Sequence, residues 1–582
     1  MTTTNAVPQR AGGLRLPQQD GSAWSLVAIV LCASIIILAL PAMLLWLSFR
    51  EAHPIEPVSA YSLLHYWDVF SDPVLPQVLL NTIIFSTTAT LISFVVGLPT
   101  AWLAVRSDLP GKTLLFTLMT VGLLMPGFAT AMGWLMLMHP RIGLINQLLM
   151  DVGGLSAAPF NITSVVGMGW VQGLSLAPVA FIMNVAVLRA IDPSLEESAH
   201  MSGASFRNIL LRVTLPLAWP GILAAGIYVF TIGFAAFDVP AIIGWSNRIY
   251  TFATYLFVQL TPSQDIPRYG AVAALSSIVI ILAGLLSWWY GRLQKQAFRY
   301  QVVTGKGYRP RVVQLGRYSL LAWVFLGFYF VLDKLLPLLV VIWAALLPYF
   351  QAPSAAALSS VSLAQFENIP WSLMLDAMKN TGLLMLLTPT ITILLAISFS
   401  WVVLRSKIPG RAGFDFVAFL PHAVPNILFG VAVLLLAISI GKGALVGTIW
   451  ILLIAFVVAR LSYATRMTNG ALIQIHKELE EAATMCGVST GTTLRRIIIP
   501  LLGPALIYAW LWIALMTFRE LTLAVILTGP ANLTMPVLVW SVLASNGFGG
   551  ASAVTLILLA TMIPFVGLYW WFVRRRGLLG ET

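Results

Sequence analysis

The residues of this chain that could do chemistry are charged groups set in an otherwise apolar sequence. Two acidic pairs, Glu196-Glu197 and Glu480-Glu481, stand at the same place in two copies of one polar stretch. Each pair is followed by a small residue, Ala199 or Ala483, and then by Gly203 or Gly487. The chemistry this suits is recognition: a carboxylate near a helix start can meet a basic group or a backbone donor on another surface. Three more charges, Asp238, Arg519 and Glu520, fall within long apolar runs. Ionisable groups there are costly and usually face a bundle interior or water. No catalytic or metal set is found. His53, His65, His139, His200, His422 and His476 are scattered, and Cys32 and Cys486 make neither a disulfide framework nor a metal motif. No G-x-x-x-x-G-K phosphate loop ending in Ser or Thr occurs, so the chain itself is expected to hydrolyse no nucleotide.

The repeated stretch must be held by a helix, a turn and a second helix. Leu195 to Ile222 aligns with Leu479 to Leu506 without a gap, 284 residues apart, with 12 identities in 28 positions. In the first copy Asp192 or Ser194 can cap the helix start, and Pro193 fits its first turn. Gly203 and Gly487 are suited to a left-handed cap that stops the helix. Ser205 and Ser489 can cap a second short helix, and Pro216 and Pro500 can open the apolar helix that follows. Ala199 with Gly203, and Ala483 with Gly487, are four apart and would make a small-residue face open to close approach.

These loops sit in a membrane protein. Of 582 residues, 59% are hydrophobic and 9% charged, against about 25% charged in soluble domains. The fold expected is all-α and polytopic, with about twelve spans near 24–48, 78–105, 114–138, 165–190, 216–243, 271–291, 319–347, 380–404, 413–438, 444–466, 500–527 and 551–573. Each can cross about 30 Å of hydrocarbon as a helix. A strand reading fails, because no alternating pattern of about ten residues is present. The loop from Arg292 to Arg317 carries seven basic residues and no acid, and the C-terminus carries Arg574, Arg575 and Arg576. Glu51, Glu56, Asp68 and Asp72 follow the first span, and 528–550 has no charge. The basic loops belong on the cytoplasmic side, which puts both termini and both acidic loops there. The net charge of +12 thus reads as topology and lipid contact; nucleic acid is not an expected partner.

The duplication runs well beyond the loops. Asn81-Thr82, Arg106, Pro110-Gly111 and Pro126 recur 299 residues later as Asn380-Thr381, Arg405, Pro409-Gly410 and Pro425. The separation falls to 284 at the acidic loops, so the first half carries 15 extra residues, expected in the outward loop 139–163. Two parallel six-span repeats, 24–291 and 319–573, are expected to pack as a pseudo-dimer. An N-terminal tail 1–23, a cytoplasmic linker 292–318 and a tail 574–582 complete the plan, with the polar loops at about 192–213 and 472–497.

Glu197-Ser198-Ala199, three residues, Gly203, and Glu481-Ala482-Ala483, three residues, Gly487, resemble the E-A-A loop of membrane subunits of binding-protein-dependent ABC importers. The first copy departs at Ser198, a small residue. The resemblance implies that each loop is a coupling helix docking on a cytoplasmic ABC ATPase, present in two copies. It also implies that a periplasmic solute-binding protein delivers the solute. ATP would be hydrolysed by the partner, with no cofactor bound by this chain, in a bacterial inner membrane. The whole chain resembles the fused, double-length permeases. The stretches from Ala101 to Gly111 and from Phe237 to Gly244 are most similar to the ferric-iron branch; thiamine, aminoethylphosphonate and polyamine systems are the alternatives.

Asp238, Arg519 and Glu520 lie at similar distances beyond Pro216 and Pro500, with Arg519 and Glu520 about 28 Å along at about 1.5 Å per residue. Two readings of them stand level: they line the outer mouth of a translocation pathway, or they pair with outward loops. Asp333 and Lys334 are expected to pair with neighbouring helices. A twelve-span secondary transporter would share the two-half plan but would not need two acidic loops, and a membrane-embedded enzyme would need a convergent polar site.

Overall fold

The computed structural model describes residues 21–56, 58–122, 125–261, 266–298, 312–441 and 443–575. The expected tails therefore lie largely outside the described residues, as does 299–311 of the expected linker. Among those described, the chain is all helix, with no strand and two isolated bridges.

Nine described helices are long and apolar enough to cross a membrane, and a bent pair raises this to ten. The expectation of about twelve unbroken spans is corrected at three places. The expected 114–138 is two helices, Lys112–Gly122 and Gly127–Met138. The expected 413–438 is also two, Arg411–Ala423 and Asn426–Gly441, bent by 104°. The breaks coincide with the matched prolines. Proline has no N–H to give and disfavours helical geometry in the residue before it. Val424 is extended at φ −109°, ψ 134°, and Pro126 at φ −61°, ψ 138°. The expected sixth span is the helix Tyr269–Phe298, whose described apolar part is the short Tyr269–Leu282.

Two further corrections concern where helices begin and end. The expected spans 216–243 and 500–527 are Phe206–Phe234 and Thr490–Phe518. The short helix after each acidic loop runs straight into the span through one π turn, Leu210–Thr214 or Leu494–Ile498. Each π turn lies just before Pro216 or Pro500, and its wider ring accommodates a residue that cannot donate to the preceding turn. The region 528–550 is not a plain loop: a helix starts at Met535 and kinks at Gly547, φ 73°. The segment after Met138 contains its own helix, Leu144–Gly153, with no counterpart among the described residues of the shorter connection after Gly441.

The repeated Asn-Thr pairs do the same work twice. Thr82 Oγ1 accepts from Phe252 N at 2.8 Å, and Thr381 Oγ1 accepts from Met535 N at 2.9 Å. Asn81 and Asn380 donate to the carbonyls of Tyr250 and Leu533. Each pair satisfies backbone groups at the start of a helix beyond the break, which lipid could not do.

The halves interlock through their first helices. Gly21–Ser48 buries one stripe, including Val30, Ser34, Ile37, Leu44 and Leu47. It packs on helices of the second half, Trp371–Leu404, Arg411–Ala423 and Asn426–Gly441, as well as on Tyr269–Phe298. In return, Leu336–Ala345 packs on Gly127–Met138. A Cβ on Gly133 would stand 2.5 Å from Pro337 Cα, so this contact needs glycine. Leu31, Ile35, Ile36 and Leu45 are left exposed on the first helix, as are Ile83, Leu91 and Val95 on Leu75–Arg106. Such an apolar outer surface is what a lipid-solvated bundle presents.

Candidate functional site

Each acidic loop is built by local capping. Asp192, not Ser194, caps the first: its Oδ1 accepts from Ser194 N at 2.9 Å, and Pro193 opens the helix Pro193–Met201. Gly203 takes φ +81°. There Ala204 N bonds to Ala199 O at 3.1 Å and Gly203 N to His200 O at 2.9 Å. The second helix, Glu478–Met485, closes the same way at Gly487, φ +73°, with Val488 N to Ala483 O at 3.0 Å. Ser205 and Ser489 then cap the following helices. Leu195 and Met201, like Leu479 and Met485, are exposed at matched positions.

The acidic residues divide their work. Glu481 is exposed. Glu196 and Glu480 turn inward instead. Glu196 Oε2 lies 3.3 Å from Arg106 Nε, and its Oε1 accepts from Thr214 Oγ1 at 2.8 Å. Glu480 Oε1 accepts from Arg405 Nε at 2.6 Å. Of the small residues, Ala483 is buried within its own chain, while Gly203 and Gly487 stand in open space.

Asp238, Arg519 and Glu520 come together. Their spans end short of them, at Phe234 and Phe518: Arg519 and Glu520 sit between helices and Asp238 opens the next helical turn, where side chains can converge. With Gln172, Ser175, Tyr228, Lys334, His422 and Arg460 they line a cavity of about 500 Å³ between the halves. Arg519 Nη1 donates to Met125 O at 3.2 Å, at the proline break of the opposite half. Asp238 Oδ1 accepts from Thr522 Oγ1 at 3.3 Å. Gly127 leaves room for this: its missing Cβ would be 3.1 Å from Asp238 Oδ2. Glu520 pairs with Arg460 through Oε2, while its Oε1 accepts from Leu523 N at 3.2 Å, in the first turn of Thr522–Leu527. The contacts described for these residues thus run to a helix break, to the start of Thr522–Leu527 and to Arg460.

Arg460 was not singled out by sequence reasoning. The signal was available, since it lies well inside the expected span 444–466, whose other charge, Arg466, is at the very end. Lys334 pairs with its neighbour Asp333 at 3.0 Å, and the Tyr329 hydroxyl lies 2.9 Å from Asp333 Oδ2. The pair sits in a π turn just before Pro337. Among the described residues, no three His, Cys, Asp or Glu side chains are grouped closely enough to hold a metal ion.

Two interlocked helical halves, each carrying one glycine-closed polar loop and sharing one polar cavity, define a membrane permease made by duplication. Comparison with known proteins places it further. The chain belongs to the family described as "Binding-protein-dependent transport system inner membrane component", which matches residues 93–299 and again 390–577. It is therefore a multi-pass inner-membrane component of an ABC importer in fused, double-length form. It is 24% identical over 515 residues to the ferric transport system permease protein FbpB of Actinobacillus pleuropneumoniae, covering 85% of this chain and 71% of that protein. It is 22% identical over 490 residues to the Fe(3+)-transport system permease protein FbpB 2 of Haemophilus influenzae, covering 84% and 88%. To the molybdenum transport system permease protein ModB of Escherichia coli it is 30% identical over 237 residues, 39% of this chain and 98% of that protein.

Proposed function

We propose that this chain forms the translocation pathway of an ABC importer whose solute is ferric iron. A periplasmic binding protein delivers the solute. Two copies of a cytoplasmic ABC ATPase dock on the helices Pro193–Met201 and Glu478–Met485, so that both termini face the cytoplasm. The observation that carries this reading is the matched pair of loops, each closed by a glycine at positive φ and each presenting an exposed Leu and Met. Asp238, Arg519 and Glu520 line the pathway where the halves meet. Iron as the solute is supported by the ferric permeases that match most of the chain. An oxyanion is the second reading, favoured by the likeness to the molybdenum permease and by Lys334, Arg460 and Arg519 on the cavity wall.

The test is uptake by proteoliposomes holding the permease, its ATPase and its binding protein, with radioactive ferric iron and molybdate offered separately. Strictly ATP-dependent iron uptake that survives proton and sodium uncouplers is expected. Uptake of molybdate alone would replace iron by an oxyanion. Uptake that needs an ion gradient and no ATP would return the chain to the secondary transporters.

A further inference from the structure

One arginine in each half holds three elements at once. Arg106 is the last residue of Leu75–Arg106 and is 5% exposed. Its Nη2 donates to Ile191 O at 3.1 Å, the residue closing Val165–Ala190, and its Nε faces Glu196 at 3.3 Å. Arg405 closes Trp371–Leu404. Its Nη2 donates to Leu472 O at 3.0 Å and Ile475 O at 2.7 Å, at the end of Ile449–Ile473, and its Nε donates to Glu480 at 2.6 Å. A cation at a helix C-terminus and an acid at a helix N-terminus both complement the helix dipole. The guanidinium fork is the group that can serve carbonyls and a carboxylate together.

The two clamps lie at different separations in the sequence, 299 residues for the arginines and 284 for the acids. The same contact has thus been kept although the chain between its ends differs in length. The helices it joins are themselves packed tightly in the first half. A Cβ at Gly97, Gly169 or Gly173 would fall within 2.8 Å of atoms of the facing helix.

We infer that Arg106 and Arg405 are positioning residues that fasten each loop helix to the ends of two spans, so that a push on the loop reaches the cavity wall. This rests on the reading of the loops as ATPase-coupling helices. It assigns Glu196 and Glu480 to transmission inside the permease.

The test reads transmission without needing the solute. In a background with Cys32→Ser and Cys486→Ser, a reporter Ser175→Cys on the cavity wall is labelled with a maleimide. Labelling is compared in the permease–ATPase complex with no nucleotide and with ATP plus vanadate. In the parent complex the labelling rate is expected to change several-fold. With Glu480→Gln or Arg405→Lys the ATPase still co-purifies, but the nucleotide-dependent change is lost; the exchanged pair Arg405→Glu with Glu480→Arg recovers part of it. Loss of ATPase co-purification in Glu480→Gln, with no recovery in the exchanged pair, would put the carboxylate on the partner and overturn the inference. An unchanged nucleotide response in both single variants would overturn it too. A parent complex without any response would instead count against the coupling-helix reading. If Glu480→Gln fails to reach the membrane, the same readouts on Glu196→Gln and Arg405→Lys decide the matter.

Discussion

Replacing Gly487 separates backbone strain from contact. Gly487 has φ +73° and nothing of its own chain within 4 Å of a would-be Cβ. A side chain there meets no clash in the permease, so the cost is conformational: about 1–2 kcal/mol for an ordinary L-residue in the left-handed region. Since about 1.4 kcal/mol is tenfold in an equilibrium, Gly487→Ala should cut the population of the correctly closed loop by roughly five- to thirtyfold. Gly487→Val should do worse, because a β-branched side chain is a clear outlier there. Gly487→Asn should be mild, since Asn tolerates this region. The assay is pull-down of the ATPase from membranes of matched permease content, with uptake measured in parallel. The order Gly, Asn, Ala, Val supports the argument. If Asn and Val fail equally, side-chain bulk against the partner decides the outcome and the strain reasoning is refuted. If all three behave as glycine, the loop does not need its left-handed turn.

Glu197→Ala combined with Glu481→Ala should abolish ATPase co-purification in permease that inserts normally, with either single change milder; wild-type pull-down in the double variant would remove these acids from the docking face. Arg519→Ala should lower uptake while leaving the ATPase bound, and unchanged uptake would make Arg519 a structural tie to Met125. Glu520→Ala strands Arg460 and should cost about 3–5 kcal/mol, as breaking a buried pair does, whereas Arg460→Met with Glu520→Met should regain most of the thermal stability in detergent. Ser545→Cys, next to the kink at Gly547, should react with impermeant reagent from outside. Gly307→Cys, outside the described residues, should react only from the cytoplasm; the reverse pattern would invert the topology.

Much of this was legible in the sequence because duplication turns a weak motif into a comparison. Gly203 and Gly487 could be assigned to left-handed caps before any coordinates, and Asn81-Thr82 with Asn380-Thr381 announced that the halves match. The helix breaks were harder. Apolar composition continues across Pro126 and Pro425, so length and hydropathy run on where the backbone does not. The inward turn of Glu196 and Glu480 was hidden for another reason. The partners Arg106 and Arg405 are 90 and 75 residues earlier in the chain, and no local pattern says which of two adjacent acids a distant arginine will take. Arg460 and Glu520 pair across 60 residues in the same way.

The exchange of first helices also sets the order in which the protein can be made. Gly21–Ser48 is made before the other described helices, yet helices that cover much of its buried stripe begin at Trp371. At a synthesis rate of about 5–20 residues per second, that wait is roughly 15–65 s. During it the part of the stripe that the second half will cover faces lipid or a helper protein instead of its final neighbours. The nascent first half is thus an incomplete object held open for the second. Joining both halves in one polypeptide guarantees that the missing helices arrive at the same place in the membrane.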